Sequence, residues 1–403
     1  MQMRKVVVGA AILVPFISAG VVLGLPSMFD ECWKRMERWS GYAEHAWTQR
    51  SFERDPLTGG PTHGSAFADY QEALAQAKAL GRDDEALLRR LRFDRDAVSL
   101  RECDDFALRW ARPLETLSRG AHQADARPPV DWQKGFSHGT VPLLVARDLV
   151  NASTIEVRRR LSQGDLLGAV RLSLDVATFE VDLLASPILI DKMVACSLLT
   201  LTAEETWTDD ALARLDQPAL ELLAAGLERL DARCPRVFDW RGESLLLANT
   251  LKHLGDGSSF FPDREVALKA MDYGWSEKWA AADAVLQQVK MWEGLRTSGA
   301  SCWRVRKEEL QQLFDSTEVQ GNPVLRVCFS NFIGAERSLR SALTVVRLLR
   351  LAVAYRLGQE LPELQDPLGE DLFESAPLDD GAVVFRSMGG ASRNGAERVV
   401  NLR

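Results

Sequence analysis

Apolar residues between Val141 and Trp207 recur at helical spacing in two runs separated by a single turn. In the first run Leu143, Ala146, Val150, Ser153, Val157 and Leu161 advance in steps of three and four, which sets one side chain per turn on one face. Arg147, Arg158, Arg159 and Arg160 fall mostly on the other faces. The run stops at Gln163, Gly164 and Asp165, where a glycine can close a helix in the left-handed conformation and an aspartate can cap the amides of the next. A second run, Leu167, Val170, Leu174, Ala177, Val181 and Leu184, ends at Ser186 and Pro187. So short a link folds the two helices back on each other as an antiparallel hairpin. From Ile188 to Leu201 apolar residues occur nearly all round, which predicts a third helix enclosed by others and makes it the expected centre of the core.

The same periodicity extends over most of the chain. It predicts helices from Phe29 to about Arg50, over 67–80, from Asp84 to about Ser118 with a break near Asp94, and over 218–231 and 237–254. Further helices are predicted from Asp263 to about Leu295, over 301–314, and along the stripe Leu339, Ala342, Val346, Leu349 and Val353. Gly and Pro mark loops at 52–65, 125–140, 255–262 and 320–323. Towards the carboxyl end the character changes. Asp379, Asp380 and Gly381 separate an apolar segment at 372–375 from Ala382, Val383, Val384, Phe385 and Arg386, which predicts a small hairpin. The tail after Gly389 and Gly390 is expected to be loose.

One stretch does not fit a globular helix. Arg4 and Lys5 precede an uncharged apolar run over residues 6–25, long enough at about 1.5 Å per residue to span the hydrocarbon of a bilayer. Basic residues before the run and Asp30 and Glu31 after it predict a cytoplasmic amino end and a body carried into the periplasm. The alternative is a signal peptide cleaved after export, favoured by Pro15, Gly20 and Gly24; the lack of an Ala-x-Ala site favours a retained anchor. Ser27 and Asp30 have the form of a capping box, so a helix carrying Trp33, Met36 and Trp39 is expected to leave the membrane directly. The chain then divides into an anchor or signal segment at 1–26, a helical domain at 27–360, and a carboxyl-terminal turn and hairpin with a loose tail at 361–403. The expected fold class is all-α: irregular helical hairpins, bundled or solenoid-like, with an N-terminal transmembrane helix and a small C-terminal β-hairpin.

Composition narrows the function by exclusion. With 46% hydrophobic and 26% charged residues, the 403-residue chain has the ordinary balance of a globular protein and enough length for a large core. A formal net charge of −8 and the absence of a concentrated Lys/Arg block argue against nucleic acid as a partner. There is no phosphate-cradling Gly-Lys-Ser/Thr loop, no Gly-x-Gly-x-x-Gly, no Gly-x-Ser-x-Gly elbow and no His-Glu-x-x-His. His45, His63, His122, His138 and His253 are scattered and read as surface or capping residues, so neither a metal nor a cofactor is predicted.

Cys32, Cys103, Cys196, Cys234, Cys302 and Cys328 include no Cys-x-x-Cys pair. Cys196 reads as a core hydrophobe, whereas Cys103 and Cys234 lie in more polar sequence and are the ones open to oxidation. Trp33, Trp39, Trp47, Trp207, Trp240, Trp275, Trp279, Trp292 and Trp303 either line a sugar- or peptide-binding groove or are core and helix-contact residues, and the second is expected for most of them. The candidate catalytic residues are Asp175 and Asp182, two turns apart on one face of the second hairpin helix, where paired carboxylates could do acid-base work. Asp104 and Asp105 invite the same suggestion. The competing reading for all four is a solvated helix face or a salt bridge to a neighbouring Arg.

The order of features resembles a bacterial family of membrane-anchored, tetratricopeptide-like helical proteins. The matching residues are Gly164-Asp165, Pro187-Ile188-Leu189-Ile190, Tyr355-Arg356-Leu357-Gly358 with Leu361-Pro362-Glu363-Leu364, and Asp366-Pro367 with Gly369. Ser387-Met388-Gly389 and Asn394-Gly395 resemble the end of type II secretion pseudopilins, whose comparable loop can bind calcium. The acidic ligands of that loop are replaced here by Ala391, Ser392 and Arg393, and no 34-residue repeat is evident. The resemblance implies anchoring and helical hairpins and brings no activity. The expected function is a non-enzymatic, membrane-anchored protein-binding or scaffold module whose partner is another envelope protein. The alternatives are a cell-envelope hydrolase using helix-borne carboxylates and a structural subunit of an envelope assembly.

Overall fold

The computed structural model describes residues 31–93, 99–137, 141–235, 238–253, 275–297, 302–321, 332–378, 382–388 and 397–400. The apolar run 6–25 and the Ser27 capping box lie outside them. Among the described residues no helix is long and apolar enough to cross a membrane.

The chain is mostly helical, as the periodicity predicts. Helix α1 covers 31–49. A short strand β1 (Thr62–Ser65) leads into α2 (Ala66–Asp83), α3 (Glu85–Phe93) and α4 (Leu100–His122), then β2 (Gln123–Asp125) and a 3-10 turn (Trp132–Ser137). The central hairpin is α5 (Leu143–Gln163) and α6 (Leu166–Leu184); α7 (Leu189–Leu201) follows and runs into a π-helical turn, Thr202–Thr206. Next come α8 (Asp209–Ala213), α9 (Gln217–Arg233), α10 (Arg241–His253), α11 (Trp275–Thr297), α12 (Trp303–Phe314), α13 (Thr317–Gly321) and α14 (Phe332–Arg356). Strands β3 (Glu374–Pro377), β4 (Val383–Arg386) and β5 (Glu397–Val400) close the fold.

The hairpin turn is built as its residues dictate. Gly164 adopts φ +79° and ψ 7°, and the Asp165 carboxylate accepts from Gly168 N at 3.0 Å. Gly164→Ala places a Cβ in the left-handed region and is expected to cost about 1 kcal/mol. The check is a lower urea midpoint with an unchanged denaturant slope.

The centre of the core is α6, not α7. Every residue from Leu172 to Leu184 is buried, polar ones included, because α4, α5, α7 and α9 surround the helix. Helix α7 has a solvent side: Ile190 is 57% exposed, so the all-round apolar pattern there does not mean enclosure. Phe179, Trp207, Leu223, Leu339, Val346 and Phe385 belong to one continuous core. A second cluster clamps α1, with Met36 fully buried against Leu247, Ala248 and Leu251 of α10 and Ala282 and Val285 of α11.

The expected hairpin forms, with Ala376 opposite Val384 and Ser375 opposite Phe385. The tail is a correction: residues 397–400 pair antiparallel with β4, Val400 opposite Val383 and Glu397 opposite Arg386. The expected 52–65 loop holds another, since Thr62–Ser65 pairs in parallel with Gln123–Asp125.

Candidate functional site

Both candidate carboxylates point into protein. Asp175 is 6% exposed and Asp182 is 3% exposed, so the solvated-face reading is overturned for this pair, while Asp104 and Asp105 are exposed. The helical period could not distinguish water from a facing polar surface, and that surface comes mainly from the segment 52–61 lying across α4, α6 and α9.

Asp182 sits at the end of α6 among three donors. Arg54 Nη2 reaches Oδ2 at 2.7 Å and its Nε reaches Oδ1 at 3.0 Å. Arg233 Nη2 donates to Oδ1 at 2.6 Å and the Tyr70 hydroxyl to Oδ2 at 2.7 Å. Arg54 also donates to the carbonyls of Ala121 at 2.7 Å and Gly120 at 3.2 Å, neutralising the negative end of α4. Gly120 permits this closeness: a Cβ there would lie 2.6 Å from the Tyr70 ring. Burial, then the Asp182 charge, pushes the Tyr70 phenol well above its ordinary range.

Two turns back, the Thr58 hydroxyl donates to Asp175 Oδ1 at 2.8 Å, and His122 Nε2 lies 3.2 Å from both that oxygen and Thr58 Oγ1. His122 is therefore half-buried and paired rather than a surface residue. Its hydrogen bond to Asp175 raises its pKa above the usual histidine value. The stability this contributes is full below the ordinary value and is lost as pH rises through the elevated one.

A hydroxyl, an imidazole and a carboxylate together invite comparison with a nucleophilic triad. In a triad the carboxylate holds one ring nitrogen and the hydroxyl the other. Here Thr58 and Asp175 meet the same Nε2, so the group fastens the 52–61 segment and relays no proton. Nor do Asp175 and Asp182 face a common gap: seven residues of helix separate them by about 10 Å of rise, and each is engaged by its own set of side chains.

Other polar residues went unnoticed in the sequence because their partners are distant. Lys192 is buried, donates from Nζ to the Asp239 carbonyl at 2.7 Å, and is pushed by burial down to about 8. Glu243 accepts from Leu189 N at 2.9 Å and burial pushes it up to about 7. Asp191 accepts from Val141 N at 2.9 Å and from the Ser186 hydroxyl at 2.8 Å. The Pro187-Ile188-Leu189-Ile190 segment is thus held between Glu243 and Asp191, and Gly242 packs so close to Pro187 that a Cβ would meet its ring at 2.4 Å.

Glu180, at the middle of α6, is fully buried; Thr202 Oγ1 donates to Oε1 at 2.6 Å and Oε2 has no partner. Burial pushes its pKa up to about 8.

Cys196 is buried as expected, but so is Cys234, which packs in the main core instead of lying in polar surroundings. Among the described residues Cys32, Cys103, Cys196 and Cys302 are free thiols. Trp207, Trp240, Trp292 and Trp303 are all core residues. Among the described residues no group of three or more His, Cys, Asp or Glu is placed to hold a metal ion. No family model, curated protein or solved structure matches the chain.

Proposed function

We propose that the protein is a membrane-tethered scaffold whose helical body stands in the periplasm and binds another envelope protein, without chemistry of its own. The reading is carried by an apolar ledge at one end of the body. Leu143 and Leu144, at the start of α5, are 46% and 65% exposed, and Ile190, at the start of α7, is 57% exposed. The hydrogen bond from Val141 N to Asp191 brings these two helix starts together. Single exposed apolar residues are ordinary, whereas a group sharing one end of a body marks a contact surface. Burying each such side chain against a partner is worth about 1.5–3 kcal/mol.

In this reading residues 6–25 are the anchor, with a cleaved signal as the variant of the same idea. The described body begins only six residues after Leu25, and α1 is clamped by α10 and α11 through Met36, so in this reading the anchor joins the body through a short link. Confinement of that kind raises the effective concentration of a membrane partner without new contacts. The helix pairs are read as a bundle, since four neighbours enclose α6. The anchor-and-hairpin order of the resembled family supports the same picture. The alternative, an envelope hydrolase working through Asp175 and Asp182, is less well supported, because both carboxylates are already engaged by side chains of the protein.

A photo-crosslinking residue at position 144 in intact cells is expected to give one discrete protein adduct. Ile190→Asp should reduce its yield at least tenfold, and the same probe at Leu108, 75% exposed on α4, should give none. Adducts to lipid alone, or equal yields from both positions, would remove the scaffold reading.

A further inference from the structure

His122 is the last residue of α4, and its imidazole holds the segment 52–61 against α6. Nε2 lies 3.2 Å from Thr58 Oγ1 and 3.2 Å from Asp175 Oδ1. The other edge of the ring runs along the backbone of the segment: a Cβ on Gly59 would sit 3.3 Å from Nδ1 and 3.0 Å from Cε1, and the ring hydrogen-bonds the backbone of Gly60. Three consecutive residues, Thr58 to Gly60, are therefore gathered round one imidazole. Leu57, just before them, is fully buried in the main core.

Counting protons gives the charge that this arrangement needs. The Thr58 hydroxyl gives its only proton to Asp175 Oδ1 at 2.8 Å, so both contacts of Nε2 call for a proton on that nitrogen. The bond to Gly60 favours the charged ring, as donation to a carbonyl does, and calls for a second proton. Only imidazolium carries both. A neutral ring with its proton on Nε2 lets go of Gly60, and one with its proton on Nδ1 turns a lone pair towards Asp175. Either tautomer leaves the segment one tie short. The surroundings act on the ring in both senses: Asp175 and the carboxyl end of α4 favour the cation, whereas Arg54 opposes it. The other charges nearby are engaged or open to solvent. Asp182 is shared by Arg54 and Arg233, Arg229 of α9 donates to the Leu57 carbonyl, Arg119 on α4 is paired with Asp69 and Glu72, and Asp55 and His63 are exposed. The His122 side chain is itself 28% exposed, so its proton exchanges with solvent without unfolding.

We propose that His122 is a pH-operated latch: with both ring protons in place it pins residues 57–60 over α6, and its deprotonation releases them, withdrawing Leu57 from the core and uncovering Asp175. The ends of the moving piece stay fixed, Arg54 by its ion pair with Asp182 and Thr62–Ser65 by pairing with Gln123–Asp125, so the bundle remains folded when the latch opens. Because Asp175 and then the other contacts hold the imidazole above the usual histidine value, the latch is closed at and below that value and opens as pH rises past it. It is independent of any partner at the ledge of Leu143, Leu144 and Ile190.

The test is chymotryptic cleavage after Leu57 in the full chain in detergent. Each rate is divided by that of a small chromogenic peptide at the same pH, and cleavage after Phe179, buried at the middle of α6, marks global unfolding. Cleavage after Leu57 should rise severalfold from about pH 6 to about pH 8.5, across the range of a raised histidine, while cleavage after Phe179 does not follow. His122→Gln has no titrating proton, so there the cut after Leu57 should already be fast at the lower pH and change little with pH. The parent profile decides the matter even if that variant folds poorly: a Leu57 rate independent of pH, or one that rises only together with the Phe179 rate, overturns the latch. A His122→Gln profile as steep as the parent's places the titration on another group and overturns it as well.

Discussion

Asp182→Asn lowers the unfolding free energy by about 3–5 kcal/mol, the scale for removing one partner of a buried ion pair. The carboxylate faces two guanidinium groups whose side chains are only 7% and 22% exposed, Arg54 and Arg233. An amide in its place cancels neither charge and sets an NH2 donor against them. Three further contacts depend on the same geometry: Tyr70 loses its charged acceptor, Arg54 loosens from the end of α4, and the 52–61 segment loses its grip on α6. Asp175→Asn should cost less, on the order of 1–2 kcal/mol, because its partners are a hydroxyl and a titrating imidazole. Urea unfolding of the two variants side by side checks both the size and the order. An Asp182 variant within 1 kcal/mol of the parent would show the ion cluster to be incidental.

Glu180→Gln is expected to stabilise the protein, and more so as pH rises. The buried carboxyl holds its proton to about pH 8, against an ordinary value of 4.5. Between these values the native state carries a proton that the unfolded state has released, so the parent loses stability as pH rises from the lower to the higher and levels off beyond. At about 1.36 kcal/mol per pH unit the shift corresponds to roughly 3 kcal/mol near neutrality and on the order of 5 in full. Glutamine keeps the acceptor for Thr202 and has no proton to lose. Urea midpoints across that pH range should therefore diverge, the parent falling more steeply than the variant, which keeps only the slope due to groups such as Glu243 and His122; parallel curves would sink the idea.

Local pattern made much of the fold legible. Steps of three and four placed α5 and α6, and Gly164-Asp165 defined their turn, because helix stripes and caps are short-range properties. The site was legible only as two residues on one face. Arg54 lies 128 residues from Asp182 and Thr58 lies 117 from Asp175, and even Arg233 is 51 from Asp182, all beyond the reach of any periodicity. A polar stripe on α6 looks the same whether it meets water or a counter-charged segment. The strand at Glu397–Val400 was obscured by brevity: four residues leave no room for an alternation to show. Ile190 misled in the opposite sense, since an apolar residue at a helix start can be left open to solvent as readily as packed.

The strap over residues 52–61 has a kinetic consequence. Its contacts reach forward to Asp175, Asp182 and Arg229, so ribosomal synthesis must deliver α6 and α9 before it can be fastened. Until then Arg54 lacks the carboxylate of Asp182 and Thr58 lacks that of Asp175. Closing so long a loop comes late, and the nascent chain is open to proteolysis in this region while it waits.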